Sequence, residues 1–440
     1  MQEPMMTPRT LWNLGRGRVP GQLIIQMTDR CNAQCPQCGM RTQNKYERKT
    51  LSNDEIYRTI DSAAEKGFEV LSFTGGEPLL MLDELCAYIT HAGKAGIRYI
   101  RTGTNGYPFK NPESPTWESR VKRVADALAE TPVRNFWISI DSADTATHEQ
   151  MRGFKGLIDG IERALPIFHE RGIFPSANLG LNRNVGGSAT WNIEQGPEEP
   201  EQEYLARFHG AFESAMHQFY QRVIDMGFTM VNCCYPMSVD EVADPRALSA
   251  VYQATSTDRI VRFTDGERAA IFQSVFETVP KFRSKVRIFS PRTSLYTLYK
   301  VYAQGEQAAY GCRGGVDFFF VDSRDGNTYP CGYRANDNLG RFWDLDTASI
   351  SSQAGCTDCD WECFRDPSEL AGPVLQGLRN PLGLLNNFRK DPRYYRLWVE
   401  DLKYYRACNY FNGRMPMNGA QILPFTGAYH APLEDRAVAA

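Results

Sequence analysis

The sequence predicts an α/β protein built on a parallel sheet. Three observations carry that expectation. Between residues 22 and 234, short apolar runs alternate six times with helical segments, the pattern of successive right-handed βαβ units. The residues with chemical potential fall at the carboxyl ends of the predicted strands, where parallel α/β folds place their sites. A chain of 440 residues, 42% of them hydrophobic, has ample material for one large core with additions.

Each element can be justified in turn. Residues 1–20 are rich in Pro, Gly and Arg and read as a surface arm. The run Leu23-Ile24-Ile25-Gln26-Met27 marks strand one, over 22–28, which leads into Cys31-Asn32-Ala33-Gln34-Cys35-Pro36-Gln37-Cys38. Ser52-Asn53-Asp54-Glu55 forms a capping box. Ile56, Ile60 and Ala63 then share one helical face, and Gly67 ends the helix. Residues 70–74 form strand two and run into Gly75-Gly76-Glu77-Pro78, where Pro78 suits the first turn of the next helix. That helix carries Leu79, Leu80, Leu82, Leu85 and Cys86. Strand three, 98–103, is followed by Thr104-Asn105-Gly106. A helix near 116–130 precedes strand four, 135–141, and a helix near 156–170 precedes strand five, about 173–181. Residues 186–203 are Gly-, Pro- and Glu-rich and read as an exposed insertion. A helix near 204–225 and strand six, 228–234, restore the alternation.

Composition narrows the function classes. A net charge of -3 argues against a nucleic-acid footprint. The first twenty residues hold no apolar signal region, and no run approaches a membrane span. Twelve cysteines without an export signal point to metal ligands rather than disulfides, hence to a cytoplasmic, oxygen-sensitive protein.

Cys31, Cys35 and Cys38 stand in a CxxxCxxC spacing. Soft thiolates at this density bind zinc or an iron–sulfur cluster. A structural zinc site wants four ligands in one small unit, and this loop supplies three. Three ligands on a four-iron cluster leave one iron open for a small molecule. The spacing resembles the cluster loop of the radical S-adenosylmethionine (SAM) superfamily, which follows the first barrel strand. That resemblance implies a partial (β/α)6, TIM-like barrel and a [4Fe–4S] cluster on Cys31, Cys35 and Cys38. It also implies SAM on the open iron, cleaved by one electron to a 5′-deoxyadenosyl radical. Gln37 departs from the family, where the residue before the third Cys is often aromatic.

Gly75, Gly76, Glu77 and Pro78 resemble the family's GGEP element, which faces the SAM ammonium. Glycines at a strand end also let backbone atoms approach a ligand closely. Ser139 and Asp141 point to the same side of strand four. In the resembling family those positions serve the SAM carboxylate or ribose, although a strand-end Asp equally caps a turn. Thr104 and Asn105 match a family element near the adenosine, and Asn-Gly is equally a plain turn. His148 and Arg152 match a family stretch after strand four.

From Cys312 the composition shifts. Cys312, thirteen residues, Gly326, four residues and Cys331 make one unit around a predicted hairpin, with its turn at Asp325-Gly326. Cys356, Cys359 and Cys363 follow as CX2CX3C. The unit resembles the SPASM/twitch auxiliary-cluster domains, and the resemblance implies at least one auxiliary [4Fe–4S] cluster. Cys312, Cys331, Cys356 and Cys359 are its expected ligands, with Cys363 competing for a place and Cys408 available for a second, incompletely ligated cluster. Zinc is the alternative there.

Cys233 and Cys234 end strand six, and alternation lets one of them face the barrel. A thiol there can donate a hydrogen atom to a substrate radical, as in radical epimerases, or it can simply be buried. A helix from Pro392 carries an aromatic stripe that fits packing of the auxiliary part onto the barrel. The expected organisation is an arm over 1–20, a barrel over 21–300, the auxiliary domain over 301–412 and a tail over 413–440. The expected activity is hydrogen abstraction from a small-molecule or lipid intermediate, leading to epimerisation, dehydrogenation or carbon–carbon bonding. The resemblance implies an electron donor such as flavodoxin or ferredoxin. Modification of a ribosomal peptide is the alternative; twenty residues before the barrel are too few for a leader-binding module. A non-catalytic iron–sulfur or zinc scaffold is the alternative of another class.

Overall fold

The computed structural model describes residues 8–42, 47–236, 238–239, 244, 246–252 and 255–426. A helix, α1 (Pro8–Gly15), precedes β1 (Gly21–Thr28). A short helix α2 (Gly39–Thr42) follows the cysteine loop, then α3 (Asn53–Glu65), β2 (Phe68–Gly75), α4 (Leu82–Lys94) and β3 (Tyr99–Thr104). Helix α5 (Trp117–Ala129) leads to β4 (Asn135–Ser139), and α6 (Thr145–Arg152) and α7 (Leu157–Glu170) lead to β5 (Ser176–Gly180). Next come α8 (Ser188–Trp191), α9 (Glu201–Asp225), β6 (Met230–Cys234), α10 (Asp265–Phe282), β7 (Arg287–Phe289) and α11 (Arg292–Gln304). The last part holds β8 (Phe318–Val321), β9 (Thr328–Tyr329), α12 (Glu362–Arg379), α13 (Pro381–Lys390), α14 (Pro392–Cys408) and α15 (Gly419–Ile422).

The sheet runs β7-β6-β5-β4-β3-β2-β1-β8-β9. Its first seven members stand in reverse chain order and pair in parallel, as successive right-handed crossovers require. All six expected strands are present, and β7 makes a seventh. Its three residues are too short to leave a periodic signal. Every residue of β1 is buried, as expected of a strand covered on both faces. The core is continuous from Leu23, Leu71 and Ile100 on the strands to Ile60, Leu85 and Ile161 on the helices.

Local chemistry explains where the helices begin. Ser52 and Glu55 form the expected capping box on α3: Glu55 N–H donates to Ser52 Oγ at 3.3 Å and Ser52 N–H to Glu55 Oε2 at 2.9 Å. Gly67 follows at φ +82°, the left-handed position that closes a helix. A second capping box, Thr264 with Glu267, starts α10. Glu267 also holds Arg183 at 2.7 Å and Tyr204 Oη at 2.5 Å.

The predicted hairpin is present, with β8 and β9 antiparallel. Beyond that expectation, β8 pairs in parallel with β1, Gln22 facing Phe318 and Ile25 facing Val321. The auxiliary region thus joins the barrel sheet. The N-terminal arm is tied down as well: Arg18 Nη1 donates to Val316 O at 2.8 Å and Arg313 Nη2 to Gly17 O at 3.0 Å. Helix α14 packs on the barrel through Tyr404, which the predicted stripe does not include. Tyr404 Oη donates to Val286 O and accepts from Ile288 N–H, both at 2.9 Å. The tail continues in backbone bonds, with Gly413 N–H donating to Arg134 O and Phe174 N–H to Gly413 O at 2.7 Å each. His430, read from sequence as a surface residue, lies outside the described residues.

Candidate active site

One cavity of about 320 Å³ opens at the carboxyl ends of the strands. Cys31, Cys35 and Cys38 line it, as do Gly75–Pro78, Thr104, Asn105, Ser139 and Asp141. Cys234 joins from β6, while Cys233 is 1% exposed in the core. The expected alternation therefore selects Cys234.

The cysteine loop is held at its root by the Gly75–Pro78 turn. Gly76 N–H donates to Thr28 O at 2.7 Å and Glu77 N–H to Arg30 O at 2.9 Å. A Cβ on Gly76 would stand 2.1 Å from Arg30 O, so only glycine permits this approach. Glu77 is fully buried, and its carboxylate accepts from Leu79 N–H at 3.0 Å and Asn105 N–H at 2.7 Å. Burial pushes its carboxyl up to about 7, against those donors. Glu77 thus joins the turn after β2 to the turn after β3. Asn105 extends the link, its side-chain amide donating to Asn32 Oδ1 at 2.9 Å and reaching Cys31 Sγ at 3.7 Å.

Asp141 is engaged within the protein. Its Oδ2 takes Gln37 Nε2 at 2.9 Å and Arg152 Nη2 at 2.6 Å. Arg152 Nη1 also reaches Cys35 Sγ at 3.7 Å. A buried guanidinium therefore stands between a carboxylate and the thiols. His148 is buried and its Nδ1 accepts from Asp141 N–H at 3.1 Å. Burial, then the charge of Arg152, pushes its imidazole down to about 3. Gln37, read only as a departure from the family pattern, is the residue that carries the cysteine loop to strand four.

The donor set fits an iron–sulfur group. Ala33 N–H points at Cys31 Sγ at 3.5 Å, and such donors stabilise cluster sulfur. Burial raises all three thiols, Cys38 to about 12, while Arg152 works against the rise at each. Sites of this kind hold thiolate only with a metal charge in place.

The second cysteine group shows the same device. Cys312 N–H donates to Cys356 O at 2.7 Å. Gly314 N–H reaches Cys312 Sγ, and Tyr333 N–H reaches Cys331 Sγ, at 3.4 Å each. Burial raises Cys359, and its neighbours Cys312 and Cys331 add to the rise. Cys363 faces the barrel cavity. It sits in the first turn of α12, and its Sγ donates to Glu362 Oε1 at 3.3 Å. Cys408 lies elsewhere, buried among Tyr404, Tyr405 and Tyr410.

Two cavity residues escape a sequence reading. Arg101 lines the cavity from β3, with Nε donating to Ser72 Oγ. A charge inside a parallel-sheet strand was the available signal. Glu362 had none. It is fully buried, accepts from Cys363 and from Tyr235 N–H at 3.3 Å, and burial raises its carboxyl. Trp137 completes the wall because Gly103 has no Cβ, which would otherwise stand 2.1 Å from the indole.

Among known proteins, residues 25–186 match the family model described as the Radical SAM superfamily. The chain is 32% identical over 155 residues to the GTP 3',8-cyclase of Vibrio parahaemolyticus serotype O3:K6 (strain RIMD 2210633), covering 34% of this chain. That match spans only 43% of the cyclase's length. It is 25% identical over 317 residues to the AdoMet-dependent heme synthase of Methanosarcina barkeri (strain Fusaro / DSM 804), covering 71% of this chain and 77% of the synthase. Among solved structures, SuiB of Streptococcus suis bound to S-adenosylmethionine aligns at a TM-score of 0.48 and 15% identity, over 80% of this chain and 67% of SuiB. Over residues 25–186, the chain is thus similar to the radical SAM superfamily.

Proposed function

We propose that the chain cleaves SAM reductively and abstracts a hydrogen atom from a small-molecule or lipid substrate in the strand-end cavity. One observation carries the reading: the three loop thiols, the Gly75–Pro78 turn and Cys234 line a single cavity. A [4Fe–4S] cluster bound there would supply the electron for reductive cleavage of SAM.

The chain's own residues do the rest. Cys31, Cys35 and Cys38 hold the cluster, with Ala33 N–H, Asn105 and Arg152 supporting the sulfurs. The Gly75–Pro78 segment, Thr104, Asn105 and Ser139 form the wall beside it. Asp141 acts through Gln37 and Arg152, orienting the loop. Tyr252, Phe320, Tyr333 and Trp361 enclose the remaining space and exclude water, which favours radical chemistry. The Cys234 thiol, donating to Asn178 Oδ1 at 3.5 Å, is placed to return a hydrogen atom to a substrate radical. The thiyl left behind needs one electron and one proton, from a donor of the flavodoxin or ferredoxin type. Cys312, Cys331, Cys356 and Cys359 would hold an auxiliary cluster.

The test is anaerobic reconstitution with iron, sulfide, SAM and dithionite. Formation of 5′-deoxyadenosine is expected, and its loss in Cys31→Ala, Cys35→Ala and Cys38→Ala. Wild-type protein that incorporates iron yet yields no 5′-deoxyadenosine would sink the reading and favour a scaffold. Failure of Cys234→Ala to alter solvent-deuterium incorporation into product would remove the thiol from the mechanism.

A further inference from the structure

Helices α12 to α14 present a surface whose exposed large side chains are of two kinds. Between residues 376 and 406 the exposed apolar ones are Leu378, Leu382, Leu385, Phe388, Val399 and Leu402. The exposed charged ones are Arg379, Arg389, Lys390, Arg396, Lys403 and Arg406, all cations. None of the three acids of this stretch is exposed, and each is paired with a cation, Glu400 at the wall of the groove between α13 and α14. Asp391 caps α14 and meets Lys300 at 3.2 Å; Glu400 meets Arg283 at 3.4 Å and Arg292 at 3.5 Å; Asp401 is buried against Arg283. On a chain of net charge -3, six exposed cations without an exposed anion reverse the local sign.

The apolar and basic groups share one place. A groove of about 650 Å³ runs between α13 and α14, lined by Leu385, Phe388 and Val399 together with Arg396, Lys403 and the ion-paired Glu400. Helix α13 buries none of its side chains, although Leu382, Leu385 and Phe388 recur at helical spacing on one stripe. Leu382 is 79% exposed. Exposed apolar ridges of this size mark a surface that something covers.

Charge complementarity selects the occupant. A patch of one sign meets a partner of the opposite sign. A single sign, carried on long stems between Leu and Phe side chains along two helices, suits a sheet of negative headgroups. Apolar side chains enter the acyl boundary there, while Lys and Arg extend to the phosphates. We propose that α13 and α14 seat the protein on an anionic lipid surface.

The experiment is flotation of the full chain with vesicles, equimolar phosphatidylcholine and phosphatidylglycerol against phosphatidylcholine alone. Anionic vesicles are expected to carry at least about tenfold more protein, and salt near 0.5 M to release it. Arg396→Glu with Lys403→Glu should lower flotation about tenfold. Leu385→Ser with Phe388→Ser should do so independently. The same charge reversal on α5, Lys122→Glu with Arg123→Glu, should change nothing, and circular dichroism checks that each variant folds. No flotation of the wild type, or equal flotation of every variant, overturns the proposal. So does a dimer, seen by light scattering without flotation, that Arg396→Glu with Lys403→Glu dissolves; the face would then belong to a second copy or to an acidic protein.

Discussion

At the scale of single residues, the site turns on the group around Asp141. Arg152 is the cation that Asp141 meets in the buried site, at 2.6 Å. Removing it leaves a buried carboxylate with Gln37 but no charge partner, so Arg152→Met is expected to cost about 3–5 kcal/mol, read from urea unfolding of the metal-free protein. Arg152→Lys, which keeps the charge, should lose less. His148 makes a pH prediction with a definite sign. Its imidazole is held down to about 3 in the fold, whereas the unfolded residue takes its proton near 6.5. The unfolded state therefore binds the extra proton first, and stability falls as pH drops below about 6.5, by about 1.4 kcal/mol per unit. His148→Asn keeps an acceptor for Asp141 N–H and should flatten that slope. The cysteines and the glycine turn were legible because each motif is contiguous in sequence. The Gln37–Asp141 bond spans 104 positions, and no local spacing encodes it. Asp141 reads from sequence as a ribose ligand or a cap; at Oδ2 it is an anchor for the loop.

Elements show the same division. Helix α3 was readable from its capping box and Gly67, and the hairpin from Asp325-Gly326, because each signal lies within a few residues. Strand β7 and the packing of β8 on β1 left no such mark, since both depend on distant partners. The turn after β2 shows how an element serves the site. The sequence suggested that its glycines face a ligand, whereas the structure also puts Gly76 against the root of the cysteine loop. Gly76→Ala should therefore push Thr28–Arg30 aside, costing about 1–3 kcal/mol. Iron loaded on the first site should fall in step, measured by iron assay and the cluster's electron paramagnetic resonance signal. Unchanged stability with full iron loading would show that the close approach is not required.

For the whole molecule, the two cysteine groups sit on one nine-stranded sheet. The parallel alternation was legible because each unit is local, and the joining of the last hairpin to the first strand was not. If the two groups bind separate clusters, Cys359→Ala should remove about four irons per chain and spare those held by the loop. Iron and sulfide analysis on reconstituted protein checks this, and loss of all iron would mean that the groups depend on each other.

The parallel pairing of Gln22–Ile25 with Phe318–Val321 also has a consequence for biogenesis. During synthesis from the amino terminus, the outer edge of the first strand stays open until almost three hundred more residues have emerged. Long-range closure of this kind is slow, and an unpaired edge invites wrong association meanwhile. The nascent chain should therefore lean on chaperones until its hairpin arrives, and truncations ending before Phe318 should aggregate on expression.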